Sequence, residues 1–153
     1  MYVIKPNGLY KAHLVAKGFT QVEGIDFQET FLPVTWYEAI CFLLAHATLE
    51  DWEIEALDIK TVFLYDELDE EIYMEQPESF LKKGQEGHIC RLKKVIYGLK
   101  QALRTWNEKL YKTLLANSFR CTCSDAGVYV HHQWEMILIV YIDNLLPIGS
   151  HLD

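Results

Sequence analysis

Two aspartates stand where a carboxylate is costly. Asp58 follows Ala56-Leu57 and Asp143 follows Val140-Tyr141-Ile142, so each emerges at the end of an apolar run. An ionised side chain there must be hydrated, paired or bound to a metal. Two such carboxylates at one rim of a sheet can hold Mg²⁺ and leave positions open for phosphate oxygens, as nucleotidyl transfer requires. Spacing alone favours a plainer account, two unrelated turn aspartates, because Asp is a common turn residue. A second cluster is weaker: Cys121-x-Cys123 lies near His131 and His132, but its one-residue gap departs from the usual zinc-ligand spacing. Cys41, Cys90, Cys121 and Cys123 are too few for a disulfide scaffold and read as free thiols.

The elements that must position the acids follow from periodicity. Tyr2 to Pro6 and Leu9 to Ala16 flank Asn7-Gly8, a dipeptide suited to a tight β-hairpin. Residues 17–33 show no sustained period and read as a loop with short pieces. Thr35-Trp36-Tyr37-Glu38 has the form of a capping box, and Ile40, Leu43, Leu44 and Ala47 follow at helical spacing, which predicts a helix from about Trp36 to Leu49. Trp52, Ile54 and Ala56 alternate with Glu53 and Glu55, which predicts a strand ending near Asp58. Glu71 to Glu75 and Ile89 to Leu92 read as further short strands. Leu103, Trp106, Leu110 and Leu114 mark an amphipathic helix over Gln101 to Asn117 with Arg104, Lys109 and Lys112 among its intervening positions. Val128 to His131 and Glu135 to Ile142 read as a strand pair, and the chain then turns through Asp143-Asn144 into Leu145-Leu146.

Half of the 153 residues are apolar, enough for a core and too many for a disordered tail. No uninterrupted apolar run, Met136 to Ile142 included, is long enough for a membrane span, and the N-terminus does not resemble a secretory signal, so an intracellular protein is expected. The formal net charge of -8 conceals a division. Residues 50–78 carry 12 acids against Lys60 alone, whereas residues 82–120 carry ten bases against Glu86 and Glu108. The basic stretch suits a polyanion, and two solvated faces of opposite sign explain the charge equally well.

The words around the acids weigh more than their spacing. Tyr10-Lys11-Ala12-His13-Leu14-Val15-Ala16-Lys17-Gly18-Phe19-Thr20-Gln21 resembles the opening motif of the reverse transcriptase of copia-type long-terminal-repeat retrotransposons. So do Leu57-Asp58-Ile59-Lys60-Thr61-Val62-Phe63-Leu64, Glu70 through Pro77, and Leu92-Lys93-Lys94 through Tyr97-Gly98-Leu99-Lys100-Gln101-Ala102. Tyr141-Ile142-Asp143-Asn144 looks like the family's Tyr-x-Asp-Asp box. Five blocks in the right order are far more specific than any one alone.

The resemblance implies an α+β fold, the fingers and palm of a right-hand polymerase, with an antiparallel sheet backed by helices. It implies a fingers-like hairpin and loop over 1–34, mainly palm over 35–153, and no thumb, connection or RNase H region. It assigns Asp58, Asp143 and the box position Asn144 to catalysis, and Asp58, Asp143 and the carbonyl of Ile59 to metal binding, with Mg²⁺ or Mn²⁺ as cofactor. Lys11, His13, Phe63 and Gln101 match nucleotide-pocket positions, Phe63 being the aromatic that rejects a 2′-hydroxyl. Lys93, Lys94, Lys100 and Arg104 are expected to meet nucleic acid, the partners being an RNA or DNA template-primer and deoxynucleoside triphosphates. Four departures accompany it. Asn144 replaces the second aspartate, a neutral and weaker ligand for a hard cation. His13 stands where the family usually has Arg, Leu103 replaces a usual Pro, and Pro147 removes a ladder N–H from the strand that leaves the hairpin. Together they suggest a decayed copy whose polymerase chemistry is impaired. The rival readings are a non-catalytic nucleic-acid-binding or interaction module, and a relic without a selected role.

Overall fold

The computed structural model describes residues 2–4, 8, 10–59, 68, 70–77 and 80–151. In chain order its elements are β1 (Tyr2–Ile4), β2 (Tyr10–Ala12), α1 (Tyr37–Leu49), β3 (Glu53–Ile54), β4 (Leu57–Asp58), β5 (Tyr73–Glu75), β6 (Ile89–Arg91), α2 (Ala102–Ala116), β7 (Arg120–Cys121), β8 (Val128–His131), β9 (Met136–Tyr141) and β10 (Asn144–Gly149). The class is α+β, with antiparallel strand pairing between these elements. Two compact units result, Met1–Thr30 with Phe63–Trp106, and Phe31–Val62 with Asn107–Asp153. The chain therefore leaves the first unit and returns to it. Among the described residues no helix is long and apolar enough to cross a membrane, and the four cysteines are free.

In the first unit β1 and β2 pair antiparallel as expected, with Tyr2 opposite Ala12 and Ile4 opposite Tyr10, a register one residue off that of a two-residue turn at Asn7-Gly8, of which Asn7 lies outside the described residues. The strand β2 is shorter than the extended stretch to Ala16 read from the sequence. Beyond Ala12 the chain turns to Tyr97: Val15 forms an isolated parallel bridge with it, and the Ala16 N–H donates to its carbonyl at 2.7 Å. The approach is possible because two glycines meet there. A Cβ on Gly18 would fall 1.9 Å from the Gly98 carbonyl oxygen, and one on Gly98, at φ +91, would fall 2.2 Å from that of Ala16. This contact is one of those that join the two segments of the first unit. β5 and β6 form a separate ribbon, Met74 opposite Cys90.

The second unit is built on a sheet of order β3-β10-β9-β8-β7, with β4 also paired to β10. Its core joins Ala47 of α1 to Ile139 and Ile148, with Ile40, Leu43, Leu44, Trp52, Ile137 and Leu146 packed around them. The helical spacing thus finds its partner in alternate residues of β9 and β10. The helix start differs from expectation. Trp36 is the N-cap and makes no side-chain capping bond, because the Thr35 hydroxyl donates instead to the Val140 carbonyl at 2.6 Å. The Trp36 N–H is met by Asp125 Oδ2 at 2.8 Å. A tertiary bond has displaced the local box, so the capping-box expectation is corrected.

The expected strand into Asp58 is present in register but interrupted. Ile54 faces Ile148 and Leu57 faces Leu145, so β3 and β4 continue one alignment without a bulge. Between them Glu55 falls opposite Pro147, whose carbonyl accepts from the Glu55 N–H at 3.1 Å. Proline cannot return that bond. One missing donor therefore splits the strand, while the hairpin side of β10 stays paired with β9 along its whole length.

Tyr129 of β8 lies buried, its ring 6.4 Å from that of Tyr111 on α2. Burial pushes its phenol up to about 12, with smaller contributions from Cys121 and Tyr111. The folded chain thus favours the neutral phenol. Its contribution is intact below the unfolded value near pH 10 and is lost as pH rises toward 12. Urea titrations across that window should show the wild type losing about 2 kcal/mol relative to Tyr129→Phe. Equal losses in the two proteins would refute the assignment.

Candidate active site

The site is assembled by β4, β10 and the hairpin tip between β9 and β10. Asn144 faces Asp58 across the β4–β10 pair, and one step further the Ile59 N–H donates to the Asp143 carbonyl at 3.2 Å. The ladder bonds at Glu55 and Ile59 make Asp58–Asn144 a non-hydrogen-bonded pair, the closer of the two antiparallel spacings, with Cα atoms about 4.5 Å apart. Asp58 and Asn144 therefore share a face at the sheet's rim. The Asn144 amide also binds its neighbour, Nδ2 donating to Asp143 Oδ1 at 3.1 Å. Asp58, Asn144 and Asp143 form one continuous polar set, Asp58 and Asn144 exposed and Asp143 half-buried. A strand pair between residues distant in sequence thus sets Asp58 directly opposite Asn144, with Asp143 one step further along the chain.

Sequence reasoning missed how the tip is held. Tyr141 pairs with Asn144, leaving Ile142 and Asp143 as a two-residue loop, and Ile142 sits at φ 59. A positive φ at the first loop position normally selects glycine, and a β-branched residue there is strained. The strain lies immediately before a candidate metal ligand. Ile142→Gly should raise the urea midpoint, gaining about 1 kcal/mol once the entropic cost of glycine is deducted from the relieved strain. A lower midpoint would show that this residue is held without strain.

The other expected site residues belong to the first unit. Lys11 occupies the middle of β2, opposite Val3. His13 is half-buried, its ring edge-on to Tyr97 at 4.8 Å. Gln101, just before α2, is buried and its amide is engaged at both ends: Oε1 accepts from Gln21 Nε2 and Nε2 donates to the Asp26 carbonyl, each at 3.1 Å. Lys100 donates from Nζ to the Gln21 carbonyl at 3.1 Å and stands 4.8 Å above the Phe27 ring. These two residues clasp the 18–27 loop, a role the motif alone did not announce. Lys93 and Lys94 are exposed and Arg104 is half-buried. Phe63 lies outside the described residues.

The donors at the rim suit a hard cation in kind, since two carboxylates and the Ile59 carbonyl offer oxygen. They fall short in charge. Among the described residues no group of three or more His, Cys, Asp or Glu side chains is placed to hold a metal ion. The position that would supply the third carboxylate carries Asn144, whose N–H occupies part of Asp143.

Residues 3–153 match the family model for reverse transcriptase (RNA-dependent DNA polymerase). The chain belongs to the reverse transcriptase family. It is 46% identical over 144 residues to the retrovirus-related Pol polyprotein from transposon TNT 1-94 of Nicotiana tabacum, and 41% identical over 143 residues to that from transposon RE2 of Arabidopsis thaliana. Each match covers 92% of this chain but only 11% and 10% of the two polyproteins, so the chain spans about a tenth of the length of these curated relatives. No solved structure matches it. The resemblance read from five motifs is thus confirmed: this is a reverse transcriptase domain of the kind found in Pol polyproteins of copia-type transposons.

Proposed function

We propose that the chain is the fingers-palm part of an RNA-directed DNA polymerase acting on a template-primer and deoxynucleoside triphosphates, with the second unit as palm and the first as fingers. The observation that carries this reading is the β4–β10 pairing, which sets Asp58 beside the Asp143–Asn144 tip. Asp58, Asp143 and the Ile59 carbonyl would hold Mg²⁺ or Mn²⁺. The bound ion would lower the pKa of the primer 3′-hydroxyl and neutralise charge on the departing pyrophosphate. The protein's own part is to fix two carboxylates on a rigid sheet rim, the tip set by the β9–β10 ladder and Asp58 by its pairing to β10. In the first unit Lys11, His13 and Gln101 would meet the nucleotide, with Phe63 against its sugar, and Lys93, Lys94, Lys100 and Arg104 would line the path of nucleic acid.

Asn144 sets the level of activity. Its amide offers no formal charge and blocks one lone pair of Asp143. The same bond favours the second reading, a nucleic-acid-binding module with little remaining chemistry. Titration with Mn²⁺, followed by its electron paramagnetic resonance signal in the presence and absence of dTTP, tests the primary reading. Weak Mn²⁺ binding that strengthens with dTTP and disappears in both Asp58→Asn and Asp143→Asn is expected. Binding unchanged in both variants would remove the site.

A further inference from the structure

By resemblance Gln101 belongs to the nucleotide pocket, yet as folded it has almost no surface to offer a nucleotide. It is 1% exposed, and both ends of its amide are taken by the 18–27 loop, Oε1 by Gln21 Nε2 and Nε2 by the Asp26 carbonyl. These bonds run in one direction. The Lys100 N–H, which can only donate, meets Gln21 Oε1 at 2.8 Å. That turns Gln21 Nε2 toward Gln101, and so turns Gln101 Nε2 toward the Asp26 carbonyl, which can only accept. Both amides therefore have a single orientation. The loop that covers Gln101 is braced within itself: the Val22 N–H donates to Asp26 Oδ2 and the Gly24 N–H to the Phe27 carbonyl, both at 2.8 Å. Phe27 is buried while Phe19, Val22 and Ile25 are more than half exposed, so the loop is held from one side.

A ligand cannot reach so buried an amide without displacing what covers it. We infer that the 18–27 loop is an autoinhibitory latch: Gln21 and Asp26 compete with the incoming nucleotide for the Gln101 amide, and a deoxynucleoside triphosphate binds only when the latch opens. The inference rests on the nucleotide-pocket reading of Gln101 and reverses what that reading alone would expect of Gln21. A neighbour that merely supports the pocket weakens binding when it is lost. A latch does the opposite, because apparent affinity is reduced by the fraction of chains that are closed, and loosening the closed state raises the competent fraction.

Isothermal titration calorimetry with dTTP in Mn²⁺ compares wild type with Gln21→Ala and Gln21→Glu. The glutamate keeps the length of the side chain and still accepts from Lys100, but sets an oxygen against Gln101 Oε1. Turning the Gln101 amide over only moves that conflict to the Asp26 carbonyl. Each variant should bind dTTP about fivefold tighter than wild type, the usual worth of one hydrogen bond removed from the closed state. A second measurement needs no variant. Exchange of the Lys100 amide proton, which is bonded to Gln21 Oε1, should quicken when dTTP is added to wild type, since opening frees it. Affinity equal to or weaker than wild type in either variant, or slower Lys100 exchange with dTTP, overturns the latch. Equal dTTP binding by all three proteins removes the latch and leaves the nucleotide site, whereas binding by none, wild type included, removes both.

Discussion

Asn144→Asp should raise Mn²⁺ affinity at least tenfold, or about 1.4 kcal/mol. The substitution acts twice. It removes the N–H that now occupies Asp143 Oδ1, and it sets a third carboxylate opposite Asp58 in the closely spaced strand pair. Three like charges at one rim repel, so the variant should be less stable than wild type in EDTA, by about 1 kcal/mol. Mn²⁺ should reverse that order. The linkage is the sharper measurement, because a merely structural asparagine predicts no metal dependence of the melting temperature. In primer extension the wild type should give no detectable product, Asn144→Asp a weak signal, and Asn144→Asp with His13→Arg a stronger one. A guanidinium offers a triphosphate a fixed fork of donors that an imidazole lacks. Robust synthesis by the unaltered chain would contradict the assignment of Asn144 as a chemical lesion.

Asp125→Ala should cost about 3 kcal/mol in urea denaturation. The carboxylate is buried and accepts two backbone N–H groups, Trp36 through Oδ2 and Gly127 through Oδ1, each at 2.8 Å. Alanine would leave both donors without their acceptor at the entry to α1. The damage should spread because the neighbouring junction is tight. A Cβ on Gly127 would fall 2.0 Å from Thr35 Oγ1, and the Val140 N–H donates to the Gly127 carbonyl at 2.8 Å. Asp125→Asn keeps one acceptor oxygen and should cost about half as much. A loss below about 1 kcal/mol for Asp125→Ala would show that Thr35 and its bond to Val140 hold the helix without it.

These two sites differ in how far the sequence announces them. The residues that matter at the rim were legible because a polymerase motif constrains residue type: Asp58, Asp143 and the departure at Asn144 are visible before any fold is known. The element types were legible for the same local reason, since a two-residue period marks the strand into Asp58, apolar runs mark β8 and β9, and a helical spacing marks α1 and α2 whatever they pack against. Asp125 had no such signal. It reads as an ordinary turn aspartate, and its importance comes from Trp36, which is distant in sequence.

By itself, then, the sequence determined the family, the α+β class, the approximate elements and the types of the rim residues, since each depends on side-chain chemistry or on neighbours within a few positions. Tertiary structure decided what depends on groups brought together from afar. It set Asp58 against Asn144, turned the Asn144 amide onto Asp143, and imposed a positive φ on Ile142 where local preference calls for glycine. It withdrew Thr35 from its capping box, because the Val140 carbonyl offered the hydroxyl a buried partner. It placed Pro147 opposite Glu55, where one absent N–H divides a strand whose alternation is otherwise continuous. It also brought Gly98 against Gly18, an approach that a side chain at either position would block.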